Sequence, residues 1–190
     1  MTYKLKLIIG STRPGRKGIA VANWFAGLAK NHPEFELEIL DLKEINLPFL
    51  NEEEHPRLQK YANETTKNWS EKIAEADAFV IVTPEYNFSY PATLKNALDF
   101  LFVEWAEKPM AFVSYGSLSA GTRAVQELKS TVTTLAMMPI PQAVNIPFFT
   151  QHINQDGVFE GSESLNKSAE TALKSLLRWT KALKLMRQQP

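Results

Sequence analysis

The chain contains no cysteine, which excludes a disulfide framework, thiol redox chemistry and any cysteine-based metal site. Its three histidines, His32, His55 and His152, lie far apart. None stands at ligand spacing from another, so each is expected in a surface or loop position and no metal site is expected. Excess charge of either sign is also missing, because 21 Lys and Arg balance 21 Asp and Glu. A neutral chain argues against nucleic acid or an anionic membrane as the main partner, although Arg13, Arg16 and Lys17 leave a local basic patch. The longest apolar runs, such as Ala78–Val82, are far too short to cross a bilayer. The N-terminus enters an apolar segment without the basic, apolar and cleavage-site order of a signal peptide. A soluble, cytoplasmic protein is therefore expected. Repeats, linkers and low-complexity tracts are absent as well, and 190 residues suit a single domain, 1–190, with a sizeable core.

What is present is alternation. Five short apolar runs read as buried strands: Lys4–Ile9, Phe35–Leu40, Ala78–Thr83, Met110–Tyr115 and Pro141–Ile146. Most lack polar alternation, as expected when both faces of a sheet are covered. Helical spacing fills the intervals. It runs through Val21, Trp24, Phe25 and Leu28, then Tyr61, Thr65, Trp69, Ile73 and Ala76. A third helix starts at Pro91 and carries Leu94, Ala97, Leu98 and Leu101. A fourth repeats Val125, Leu128, Val132 and Leu135, and a last one runs from Leu165 through Ala169, Leu173 and Leu176 to Leu183. Strand and helix in alternation predict a parallel, doubly wound α/β sheet. The segments 46–56 and 147–162 remain as long connections, a length that often carries binding roles.

In such a sheet a ligand sits beyond the carboxyl ends of the strands. Strand one runs into Gly10-Ser11-Thr12-Arg13-Pro14-Gly15-Arg16-Lys17-Gly18, a small-residue loop ahead of a helix. That arrangement aims free backbone N–H groups and a positive helix end at an anion, and its hydroxyls and guanidinium groups suit a phosphomonoester. It is not a P-loop, since Arg16-Lys17 stands where Lys and then Ser or Thr belong. Nor is it a dinucleotide fingerprint, whose third glycine place holds Thr12. Asp41 could stand in for a ribose-binding acid, but Asp ending a strand is ordinary turn chemistry. Strand three ends in Thr83-Pro84-Glu85-Tyr86-Asn87-Phe88-Ser89-Tyr90-Pro91 and strand four in Ser114-Tyr115-Gly116-Ser117-Leu118-Ser119-Ala120-Gly121-Thr122. Strand two runs into an unremarkable Asp41-Leu42-Lys43, from which no contribution is expected. Three convergent loops make a pocket with a phosphate end and an aromatic, backbone-polar floor fit for a large flat ring. Tyr86 is expected to face the ligand and Tyr90 to pack on its own domain or on a second subunit; the Glu85 side chain reads equally well as solvated or as functional. Ser114, Ser117 and Ser119 have no histidine or acid pattern and no G-x-S-x-G elbow beside them, which excludes a hydrolase.

These loops, with Tyr90-Pro91-Ala92-Thr93-Leu94-Lys95-Asn96-Ala97-Leu98-Asp99, Thr66-Lys67-Asn68-Trp69-Ser70 and Arg123-Ala124-Val125, resemble the NADPH-dependent FMN reductase family of flavodoxin-like proteins. The resemblance covers nearly the whole chain. It implies a five-stranded parallel sheet in the order 2-1-3-4-5 with helices on both faces, FMN as cofactor, and NADPH or NADH as co-substrate. Ser11, Arg13 and Arg16, with the backbone near Gly18 and Ile19, would hold the FMN phosphate. Pro84, Glu85, Tyr86 and Asn87 would line the isoalloxazine ring, and Gly116 and Ser117 would approach its pyrimidine edge. A hydride would pass from the nicotinamide to flavin N5, and electrons onward to a small acceptor: free flavin, a quinone, an azo or nitro compound, or a metal oxyanion. The family usually has paired glycines at both ends of the loop in which this chain has Gly116-Ser117 and Ala120-Gly121. If the second glycine takes a positive φ, Ser117 must strain or re-route the loop. The resemblance also implies dimers or tetramers through the third and fourth helices, where Phe100, Leu101, Phe102, Val103, Trp105, Met137 and Met138 read equally as core or interface. The alternative is an electron carrier or a nucleotide-binding module without enzymatic activity; carriers tend to be strongly acidic, and this chain is not.

Overall fold

Four strands carry the centre of the molecule, and their sequences explain their places. The computed structural model describes residues 2–189. In it β1 (Tyr3–Ile9), β2 (Phe35–Asp41), β3 (Ala78–Pro84) and β4 (Pro109–Tyr115) pair in parallel in the order β2-β1-β3-β4. Every residue of β3 and β4 is buried, as interior parallel strands require, whereas β2 at the edge mixes exposed and covered positions. The register sets Ile8 beside Ile81 and Val82 beside Val113. The fifth position is divided. Where one strand over 141–146 was expected, β5 (Met138–Pro139) and β6 (Val144–Ile146) each pair in parallel with β4. Pro139 and Pro141 have no N–H to give the ladder, so the edge breaks between them and Val144.

Alternate residues of each strand feed two cores. On one face α1 (Gly18–Ala29) and α6 (Glu163–Arg187) cover Leu5, Leu7, Val80, Val82 and Val113. On the other, α3 (Glu64–Ala74), α4 (Ala92–Asp99) and α5 (Thr122–Thr134) cover Ile8, Phe79, Ile81 and Phe112. The sheet order is thus 2-1-3-4-5 with its last place split, and both faces are helical. A short α2 (Leu42–Ile45), capped by the Asp41 side chain through the Lys43 N–H, was not expected. The second expected helix is shorter than its pattern: Tyr61 lies outside α3 because its hydroxyl donates to the buried Glu104 carboxylate at 2.8 Å. The third stops at Asp99, with Pro91 as its N-cap residue. There the indole N–H groups of Trp69 and Trp105 donate to the Ala97 and Leu98 carbonyls in the last turn of the helix. Phe100, Leu101, Trp105 and Met137 are core, leaving Val103 and Met138 as the exposed members of the apolar set expected there.

Candidate functional site

The carboxyl ends of β1, β3 and β4 lie side by side, so the loops that leave them meet. Between them is a cleft of about 370 Å3, lined by Ser11, Arg13, Gly15, Arg16, Pro84, Glu85, Tyr86, Tyr115, Gly116, Ser117 and Phe149, together with Pro14. That size is within the ordinary range for small-molecule sites, roughly 300–1,000 Å3.

At one end the loop between β1 and α1 is held by its own residues. Arg16 donates its fork to both carboxylate oxygens of Asp41 and reaches the Ser11 carbonyl at 2.8 Å. Its side chain is only 8% exposed and that of Asp41 13%. Burial by itself would push the Asp41 carboxyl up, but the Arg16 guanidinium more than reverses this and holds it below the usual range. The end of β2, from which nothing was expected, therefore braces the loop. Arg16 lines the cleft with its guanidinium committed to Asp41. Arg13 is exposed on the rim and makes no ion pair among the described residues. The amide N–H groups of Ser11, Thr12, Arg13, Gly15 and Lys17 donate to no acceptor among the described residues; Arg16 N–H is used on Arg13 O at 3.1 Å. A loop with this many free donors, beside an unpaired guanidinium and the start of α1, fits a phosphate group. Gly18 and Ile19 are not part of the cleft lining: Ile19 is exposed and Gly18 is buried beneath Tyr115. A Cβ at Gly18 would lie 2.2 Å from the Tyr115 hydroxyl oxygen, so only glycine lets the tyrosine approach α1.

The other end is aromatic. The Tyr86 hydroxyl hydrogen-bonds Ser11 Oγ at 2.7 Å, joining the two ends of the cleft. Tyr115 packs against Phe149 with ring centroids 4.9 Å apart, and burial pushes its phenol pKa up, so it stays neutral. Neither residue was singled out by sequence. Tyr115 could have been, as the inward-facing last residue of a strand ending in the site; Phe149 belongs to the long 147–162 connection, where only the length gave a signal. Tyr90 packs on its own domain as expected, with its hydroxyl on Thr131 Oγ1 at 2.7 Å. Asn87 stands outside the cleft lining, at the tip of a turn closed by Tyr86 N–H to Ser89 O at 2.8 Å and Ser89 N–H to Tyr86 O at 3.0 Å. Glu85 is not solvated: its side chain is 7% exposed and paired with Arg123. Burial opposes its charge, yet Arg123 and Ser119 together keep its pKa below the usual carboxylate range. Both acids at the site are thus neutralised by an arginine, which leaves Arg13 to set the local charge.

Ser117 takes no positive φ. The left-handed residues of its loop are Ala120 at φ +53° and Gly121 at φ +78°, so the strain expected at Ser117 falls on Ala120. Gly116 N–H is used on the Ile146 carbonyl at 3.1 Å, whereas Ser117 N–H has no acceptor among the described residues and remains available to a ligand edge. The residues present fit FMN: free donors for the phosphate at one end, and a flat, aromatic and backbone-polar wall for the ring at the other.

A parallel sheet of this order, with three strand-end loops around an anion-and-ring cleft, defines a flavodoxin-like nucleotide-binding protein. A model of the NADPH-dependent FMN reductase family matches residues 3–151. The chain is 42% identical over 143 residues to an NAD(P)H-dependent FMN reductase of Schizosaccharomyces pombe, covering 74% of this chain and 71% of that one. It is 34% identical over 200 residues to an NAD(P)H-dependent FMN reductase of a Nectria species, covering 98% of each. The solved structure of the Paracoccus denitrificans flavoenzyme FerB, an NAD(P)H:(acceptor) oxidoreductase, shares the fold with a TM-score of 0.75 at 22% identity, over 95% of this chain and 98% of its own. The chain belongs to the NADPH-dependent FMN reductase family, an oxidoreductase family using FMN with NAD(P)H as reductant.

Proposed function

We propose that this cleft binds FMN with its phosphate on the 10–18 loop and its ring along Pro84, Glu85, Tyr86, Gly116 and Ser117, and that the enzyme uses NAD(P)H to reduce small flat acceptors such as quinones. One observation carries the reading: a loop of unpaired amide donors with a free Arg13 shares one cleft with Tyr86, Tyr115 and Phe149. The flavin, when bound, supplies the hydride and electron chemistry. The protein binds, orients and shields. Arg13 and the loop amides fix the phosphate. Arg16 and Asp41 keep that loop in shape. Tyr86 spans the two ends through Ser11, and the Ser117 N–H offers a donor to the ring edge. No side-chain acid or base is assigned a proton. Leu118 and Phe148, next in the chain to the lining residues Ser117 and Phe149, are exposed, and apolar side chains there suit a flat, poorly charged acceptor.

Association is part of the proposal. Phe49, Leu50, Leu58 and Val103 are exposed large apolar residues in segments before and after α4 in the chain, and Asn96 of that helix ties the 48–50 backbone through Pro48 O and Leu50 N–H. We place a second copy of the chain on this surface. No helix among the described residues is long and apolar enough to cross a membrane, and work in the cytoplasm is the setting proposed. The decisive test is the visible spectrum of purified protein followed by anaerobic addition of NADPH and, separately, NADH. Flavin bands that bleach within the mixing time support the reading. Bound flavin that neither nicotinamide reduces would instead make the protein a carrier.

A further inference from the structure

We propose that Arg123, which is outside the cleft, is a positioning residue for its ring end: paired with Glu85 and stacked on Phe88, it holds the Tyr86–Ser89 turn in a left-handed form that its own residues disfavour. The inference rests on the assignment of this wall to the flavin ring.

The turn is a two-residue hairpin with both central residues at positive φ, Asn87 at +50° and Phe88 at +74°. Such turns take Asn-Gly or Asp-Gly by preference. Asn tolerates the first place, but a phenylalanine in the left-handed region crowds its Cβ against the backbone and is strained there. Burial does not offset that strain, because Phe88 is 65% exposed. What Phe88 has instead is the Arg123 guanidinium, 3.8 Å from its ring centroid. A stack of this kind on an exposed ring is weak when the cation is free to move. Here the cation is fixed. Arg123 Nε and Nη2 each lie 2.5 Å from Glu85 Oε1, while Glu85 Oε2 accepts from Ser119 Oγ at 3.0 Å and from the Arg123 backbone N–H at 3.2 Å. The residue before the turn and the second residue within it are therefore both fastened to the first turn of α5. Between those two anchors stands Tyr86, whose hydroxyl reaches Ser11 in the phosphate loop. A shift of the turn would move the cleft wall at Pro84–Tyr86 and break the link to the phosphate end together.

A four-protein comparison tests this: wild type, Arg123→Ala, Phe88→Gly and the double variant, each titrated as apoprotein with FMN by fluorescence quenching, with the midpoint potential of the bound flavin measured in parallel. The expected result is that Arg123→Ala weakens FMN binding about tenfold and shifts the potential, whereas in the Phe88→Gly background, where the turn is left-handed without help, the same change has less than about a twofold effect. Arg123→Lys, which keeps a cation for Glu85 but loses the planar stack, gives an intermediate loss and serves if the alanine variant does not fold. An equal loss in both backgrounds makes Arg123 a plain structural ion pair and overturns the proposal; so does no loss in either. A wild type that binds no FMN overturns the flavin reading alone. The clamp is then decided by the same cycle on the melting temperature of the apoprotein, where it requires Arg123→Ala to cost less in the Phe88→Gly background.

Discussion

Arg13 and Arg16 stand three residues apart in one loop, and the structure gives them different work. Arg16 spends its fork on Asp41 and Ser11 O, whereas Arg13 has no such partner. Arg13→Ala is therefore expected to lower affinity for FMN by about tenfold or more, the worth of a charge-assisted hydrogen bond, and to leave affinity for riboflavin unchanged. Fluorescence titration with both flavins reads the ratio, and an equal fall for each would remove Arg13 from the phosphate. Asp41→Asn should act differently. It leaves a largely covered guanidinium with half its acceptor, costs about 1–3 kcal/mol of stability in chemical unfolding, and weakens FMN binding by loosening the loop. Gly18→Ala tests close packing at the same place. Its methyl would stand 2.2 Å from the Tyr115 hydroxyl oxygen and 2.9 Å from the ring carbon bearing it. The substitution should destabilise by about 2 kcal/mol, and Tyr115→Phe should recover part of that loss in a thermal melt.

At the scale of elements, the start of α3 shows how a loop without regular structure is tied down. Glu52 accepts the N–H groups of Ala62 at 2.7 Å and Asn63 at 3.0 Å, just ahead of the helix. Burial works against its charge, but the donors around it prevail and lower its pKa to about 2. A carboxyl with a folded pKa below its unfolded value near 4.5 stabilises fully above that unfolded value, and the contribution is lost as pH falls toward 2. The stability gap between wild type and Glu52→Gln should accordingly be constant near neutrality and close in acid; urea melts across that range would show it, and a gap independent of pH would contradict it. None of this was legible in the sequence, where 46–56 read only as a long connection. The reason is general. Strands β1, β3 and β4 and helices α1, α5 and α6 are specified by apolar spacing within each continuous segment. The contacts that shape the site join residues far apart in the chain, Arg16 to Asp41 and Glu85 to Arg123. Proline chemistry was the exception that could have been read: Pro139 and Pro141 foretell a broken edge strand. The phosphate loop was legible because its chemistry is contiguous, from Gly10 to Gly18.

At the scale of the whole molecule, a net charge of zero and the exposed side chains of Phe49, Leu50, Leu58 and Val103 point the same way. Without net charge there is no long-range repulsion to keep copies apart. Phe49 is 86% exposed, and the neighbouring Leu50 N–H donates to Asn96 Oδ1 on α4; Leu58 and Val103 are exposed in short turns before and after this helix in the chain. Isolated exposed apolar residues are common, and the proposed second copy requires that these four form one patch. Sedimentation at micromolar concentration should show an oligomer for wild type and a monomer for the Phe49→Asp, Val103→Asp double variant, with FMN still bound because neither residue lines the cleft. An apolar contact is also weakly sensitive to ionic strength. The wild-type sedimentation coefficient should therefore hold between low and high salt, whereas dissociation by salt would mean that surface ion pairs, rather than this apolar run, hold the copies together.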